Sequence, residues 1–191
     1  MQRVIKKNLV SALLVLFTLT AYAHDGDEKS KITNMTFENV KNGATLTIKD
    51  LNGIILYRET IKQDGIYSKG FDLTALPDGS YFFELEQDVE IKVIPFKVNS
   101  NEVLFDKEQQ SVINKPVVID KNDHITISKL ALNEKPMEVK IYYENGELIY
   151  SELLNNGQRL ERIYDFSTSV KGGYQIIMKT EGREFVKHFK I

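Results

Sequence analysis

Residues 32–98, shifted by 93, overlay residues 125–191 without a gap, and 13 positions are identical. Ile32-Thr33 matches Ile125-Thr126, Ile48 matches Ile141, and Asn52-Gly53 matches Asn145-Gly146. Tyr57, Glu59 and Asp72 match Tyr150, Glu152 and Asp165. Gly79, Tyr81, Val93, Phe96 and Lys97 match Gly172, Tyr174, Val186, Phe189 and Lys190. Between identities apolar stays apolar, as in Leu46/Val139, Leu56/Ile149, Phe71/Tyr164, Leu73/Phe166, Phe83/Ile176 and Leu85/Met178. Turn glycines and apolar alternation therefore recur in phase, so both stretches have to adopt one fold.

The alternation has period two. Leu46-Thr47-Ile48 and Val139-Lys140-Ile141 each put apolar residues on one side of an extended chain, the pattern of a half-buried strand. Asn-Gly follows in both copies and predicts a tight hairpin with positive φ at both residues. Further turns fall at Asp64-Gly65 and Asn156-Gly157, at Pro77-Asp78-Gly79 and Lys171-Gly172-Gly173, and at Glu181-Gly182. Each copy then holds about six or seven short strands at sandwich spacing. No helix is expected after the first 23 residues. The predicted fold is all-β: two tandem immunoglobulin-like β-sandwich domains, residues 30–98 and 123–191, joined by a partly extended connector, residues 99–122. Pro116 ahead of Val117-Val118-Ile119 favours an edge strand there, because proline cannot donate to a ladder. The predicted core is Leu46, Ile48, Leu56, Phe71, Leu73, Phe83, Leu85 and Phe96, with Val139, Ile141, Ile149, Tyr164, Phe166, Ile176, Met178 and Phe189.

The first 23 residues differ from the rest. Arg3, Lys6 and Lys7 are followed by an apolar run from Leu9 to Leu19 and by Ala21-Tyr22-Ala23. That order reads as a cleaved signal peptide, residues 1–23. The run is shorter than the roughly 20 residues of a spanning helix, and no later segment is apolar enough to serve as one. An acidic tail, residues 24–29, comes next. The expected location is therefore exported: periplasm, cell surface or outside the cell. The leader carries three cations and no carboxylate, so the remainder holds 22 cations against 27 carboxylates. A mildly acidic chain has no electrostatic footprint for nucleic acid. With no cysteine, disulfides cannot supplement the core as they do in many small exported domains. A domain of about 70 residues buries little surface alone, which favours two copies that support one another.

Catalytic frames are missing from the sequence. His24, His124 and His188 lie in no G-x-S-x-G or H-E-x-x-H pattern. The recurring Asp72 and Asp165 sit between apolar neighbours and read as turn-bonding or solvent-facing residues. Tyr81 and Tyr174 read as core or sandwich-corner residues. The chain is expected to be no enzyme and to need no cofactor, with an unidentified protein or glycan as its partner. A different reading rests on His24. As a mature N-terminus its amine and imidazole would chelate Cu(II), which prefers nitrogen ligands, and would make a weak copper-binding periplasmic protein. Neither His124 nor His188 belongs to the first copy, and position 188 matches Pro95.

The segments Phe71-Asp72-Leu73-Thr74-Ala75-Leu76-Pro77-Asp78-Gly79-Ser80-Tyr81 and Val139 to Ile191 resemble the C-terminal β-sandwich sorting domains of Bacteroidetes proteins that leave by type IX secretion. The likeness covers both copies. It implies a sandwich fold and, for the second copy, use as an export address. Neither copy has the N-P element that usually opens such domains, no cargo domain accompanies them, and His188 replaces a lysine of the closing strand.

Overall fold

A computed structural model describes residues 31–106 and 108–191. The predicted leader, the acidic tail and His24 lie outside the described residues. The protein is all-β with several antiparallel sheets. Among the described residues the one helical element is a 3₁₀ turn, Leu73–Ala75, and no helix is long and apolar enough to cross a membrane.

The first six strands are β1 (Ile32–Val40), β2 (Thr45–Asp50), β3 (Ile55–Thr60), β4 (Gly65–Asp72), β5 (Gly79–Glu86) and β6 (Glu90–Asn99). Then follow β7 (Glu102–Phe105), β8 (Ser111–Asn114) and β9 (Val117–Lys121). The last six are β10 (His124–Leu130), β11 (Met137–Tyr143), β12 (Leu148–Leu154), β13 (Arg159–Asp165), β14 (Gly173–Thr180) and β15 (Arg183–Lys190). β1 pairs with β4, and a larger sheet runs β3-β2-β5-β6-β7 with β8 also on β6. The later strands repeat this order: β13-β10-β9 in one sheet and β12-β11-β14-β15 in another.

Two apolar cores result, each drawing on two sheets. Met35, Phe37 and Phe71 from the β1-β4 pair meet Leu46, Ile48, Phe83, Leu85 and Phe96. Ile125, Ile127 and Leu160 meet Val139, Ile141, Ile176 and Met178. Phe71, Phe83 and Phe96 form a continuous aromatic row with centroid spacings of 5.2 Å. Such contacts add about 1 kcal/mol each beyond their area.

Four sequence expectations need correction. Leu56 and Ile149 are each 46% exposed, not core. β3 and β12 are edge strands whose alternation turns Tyr57, Glu59 and Glu152 inward and sends Leu56 and Ile149 out. Tyr164 and Phe189 are only partly buried against the second core. The Asn-Gly hairpins are not two-residue turns with two positive φ angles. Only the glycines, Gly53 and Gly146, have positive φ there. Gly53 N donates to Asp50 O at 3.0 Å, Gly146 N to Tyr143 O at 2.9 Å, and each hairpin carries a bulge. This is a type I turn closed by a left-handed glycine, a longer solution to the same reversal.

The last correction concerns the repeat itself. Met35 faces Lys69 and Ile127 faces Arg162. Lys69 and Arg162 differ by 93, but Met35 and Ile127 differ by 92, so the first strand of the second copy is slipped by one residue. The identity of Ile32 with Ile125 is thus no equivalence: Ile32 is 50% exposed and Ile125 is fully buried. A one-residue slip inverts the faces of a strand. Lys129 consequently takes the core position of Phe37.

The connector is not a linker. β7 and β8 complete the first large sheet, and β9 is the edge strand of a sheet in the second half, in keeping with Pro116 just before it.

Candidate functional site

In the first half, β3 and β4 are edge strands of opposite sheets. Their inward polar residues meet between the two sheets. Glu59 Oε2 accepts hydrogen bonds from Lys69 Nζ at 2.7 Å, from Tyr67 Oη at 2.8 Å and from Tyr57 Oη. Lys69 also donates to Tyr57 Oη at 2.7 Å and lies 5.1 Å from the centre of that ring. The Lys69 ammonium, helped by the Tyr57 and Tyr67 hydroxyls, holds the Glu59 carboxyl at about 2. Burial, with the neighbouring carboxylate, pushes the Tyr67 phenol up. Lys69 is pushed up by its bond to Glu59.

The same cluster recurs between β12 and β13. Arg162 grips Glu152 with Nε at 3.0 Å and Nη2 at 2.8 Å, and Tyr164 Oη donates to Glu152 at 2.7 Å. Tyr150 meets Tyr164 edge to face at 5.8 Å. Burial pushes the Tyr164 phenol up. A shallow cleft of about 460 Å³ opens here, lined by Ile141, Ile149, Tyr150, Glu152, Arg162 and Tyr164 among others. Arg162 replaces Lys69, and a bidentate fork replaces a point charge.

In this arrangement every charge has its counter-charge at hydrogen-bond distance. An ionised carboxylate saturated by donors is a poor base, and phenols pushed upward stay protonated at neutral pH. The cluster ties two sheet edges together and leaves an amphipathic cleft beside them. Sequence reading registered the Tyr57/Tyr150 and Glu59/Glu152 identities without assigning them a role. The available signal was the third member, Lys69/Arg162, a cation retained at the same 93-residue spacing.

Other singled-out residues take structural places. Tyr81 and Tyr174 are buried, and each hydroxyl donates to the carbonyl four residues upstream, Pro77 O at 2.8 Å and Val170 O at 2.5 Å. Each ties the start of its strand to the turn before it. Asp72 accepts from Thr74 Oγ1 at 2.6 Å, and Asp165 from Ser167 N at 2.8 Å. The Ser167 backbone bond, first among several, holds the Asp165 carboxyl below its usual range. His124 bonds Asn122 O at 2.8 Å, while His188 lies on β15 in a different sheet. The described residues bring no three His, Cys, Asp or Glu side chains together in a metal-holding group. His24 lies outside them.

No protein-family model and no curated protein matches the chain. Among solved structures it is similar to a "Biofilm associated protein - BSP domain", at a TM-score of 0.29 and 12% identity over 83% of this chain. The match spans 27% of that protein's length.

Proposed function

We propose that the chain is a non-catalytic, exported structural or binding module at the cell envelope or surface. In this reading residues 30–98 and 123–191, with strands borrowed from the connector, form two tandem immunoglobulin-like sandwiches. The observation that carries it is the twice-built Tyr/Glu/cation cluster, in which each carboxylate is held by its cation and by the hydroxyl of Tyr67 or Tyr164. A site kept for chemistry would leave a base or nucleophile free to reach a substrate. The signal-peptide pattern of residues 1–23 supplies the export half of the reading.

Expression of the full chain followed by cell fractionation and N-terminal sequencing tests export. The expected product starts at His24 and lies outside the cytoplasm; an uncleaved cytoplasmic product defeats that half. For the non-catalytic half, purified protein is assayed against ester, peptide, glycoside and phosphate substrates. Turnover abolished by Glu152→Gln, with the fold retained, defeats it.

The type IX reading gives β15 an additional duty as an export address. Substituting its exposed residues Glu184, Val186 and Lys187 while keeping Phe185 and Phe189, which pack on the core, separates addressing from folding. Retention in the periplasm supports the address; unchanged export rules it out.

A further inference from the structure

Strands β6 and β15 occupy equivalent places in the two copies, yet their outer edges differ. β7 and β8 together cover β6 along its length, with Phe105 opposite Phe96 and Ile113 opposite Ile91. Among the described residues no strand pairs with the outer edge of β15.

The backbone directions show what that edge offers. Asp106 N donates to Pro95 O, so odd-numbered residues of β6 direct their peptide groups toward β7. On β15 the mutual bonds between Ile191 and Gly172 turn the odd residues toward β14. Peptide groups alternate sides along an antiparallel strand. Glu184, Val186, His188 and Lys190 therefore present N–H and C=O outward. Position 188 is proline in the first copy, where the missing donor interrupts the ladder. His188 restores it.

The core tells the same story. Phe96 is 1% exposed and its ring lies tilted against Phe105, 5.6 Å between centroids. Its equivalent, Phe189, contacts Phe166 and Tyr174, has no counterpart of Phe105 among the described residues, and stays partly exposed. With Arg183 paired to Glu84, Lys187 and Lys190 still outnumber Glu184 on this strand, so two such edges repel each other. β7, flanked by Glu102 and Asp106, has the complementary charge.

We infer that the β15 edge is a docking site for an extended segment of a partner protein. The segment adds as an antiparallel strand and has the chemistry of β7: acidic at its ends, apolar inside, with an aromatic ring placed on Phe189. Main-chain bonds supply affinity, and the Phe189 surface supplies selectivity. This deepens the binding-module reading and rests on it.

The probe is a fluorescein-labelled peptide with the sequence of residues 101–114, titrated into the intact protein. Saturable binding is expected, with slowed amide exchange at Glu184, Val186, His188 and Lys190. His188→Pro removes one outward donor at a site where the first copy already tolerates proline, and it weakens binding by about tenfold. Phe105→Ala in the peptide weakens it similarly and leaves the protein untouched. Lack of saturable binding, or binding that neither protects β15 nor responds to these two changes, overturns the proposal. Dimerisation through β15 that the peptide does not displace also overturns it, by making a second copy the occupant. The non-catalytic reading fails separately, on turnover.

Discussion

Lys129 shows what one displaced residue does. It stands where the first copy has Phe37, its side chain is wholly buried, and its ammonium reaches Glu181 at 2.8 Å. Glu181 is steadied by Asn133 Nδ2 at 2.6 Å. A buried ion pair adds little over an apolar isostere, but breaking it strands a charge. Glu181→Gln should therefore cost about 3 kcal/mol in urea denaturation, while Lys129→Met should change stability by less than about 1 kcal/mol or raise it. Equal losses for both would show that the pair itself stabilises. Glu59 gives a pH signature. Its carboxyl lies at about 2 in the folded protein against an ordinary 4.5, so the native state sheds this proton more readily than the unfolded chain. Its contribution is complete above pH 4.5 and is lost as the pH falls toward 2. Stability of Glu59→Gln should depend less on pH across that window than wild type, measured by chemical denaturation at several pH values.

Single elements carry the next level. Gly172 opens the turn into β14 with φ of +154°, and a Cβ there would meet the Tyr143 ring at 2.8 Å. Gly172→Ala should destabilise by about 1–3 kcal/mol, and Gly146→Ala, with open space around it, should lose only the cost of its positive φ. Thermal melts of the two variants compare crowding with backbone strain. β7 belongs to the first core, because Phe105 and Val103 pack on it, while β8 extends the same sheet by pairing with β6. A fragment of residues 31–115 should melt cooperatively, whereas residues 31–98, with Phe96 and Val98 uncovered, should not. Circular dichroism on both fragments decides this, and a cooperative melt of the shorter one would make β7 dispensable.

For the molecule as a whole, Glu84 links the two halves. It lies on the outer side of β5, nearly buried, and pairs with Lys49 of its own sheet and with Arg183 at the start of β15. Arg183→Ala leaves the Lys49 pair in place, so the stability cost should be about 1 kcal/mol or less. The halves should nevertheless loosen, seen as a larger radius of gyration in X-ray scattering and a second calorimetric transition. An unchanged radius would show that other contacts hold them. The in-phase alternation and turn glycines of the sequence alone determined the all-β class, the strand positions and most of the core, since period-two burial and positive φ are local demands that leave a residue-by-residue trace. The buried place of Tyr81 and Tyr174 was legible for the same reason, and each hydroxyl reaches a carbonyl only four residues back. Tertiary structure decided the rest. Leu56 and Ile149 read as core, but only strand order shows that β3 and β12 are edges with one face in water. Ile125 matched Ile32 letter for letter, and only cross-strand register reveals the slip that buries one and exposes the other. The Glu59 and Glu152 clusters join strands from opposite sheets, and the open β15 edge is defined by a neighbour that β6 has and that β15 does not have among the described residues. Such facts concern pairs of distant segments, and no local pattern in either segment records them.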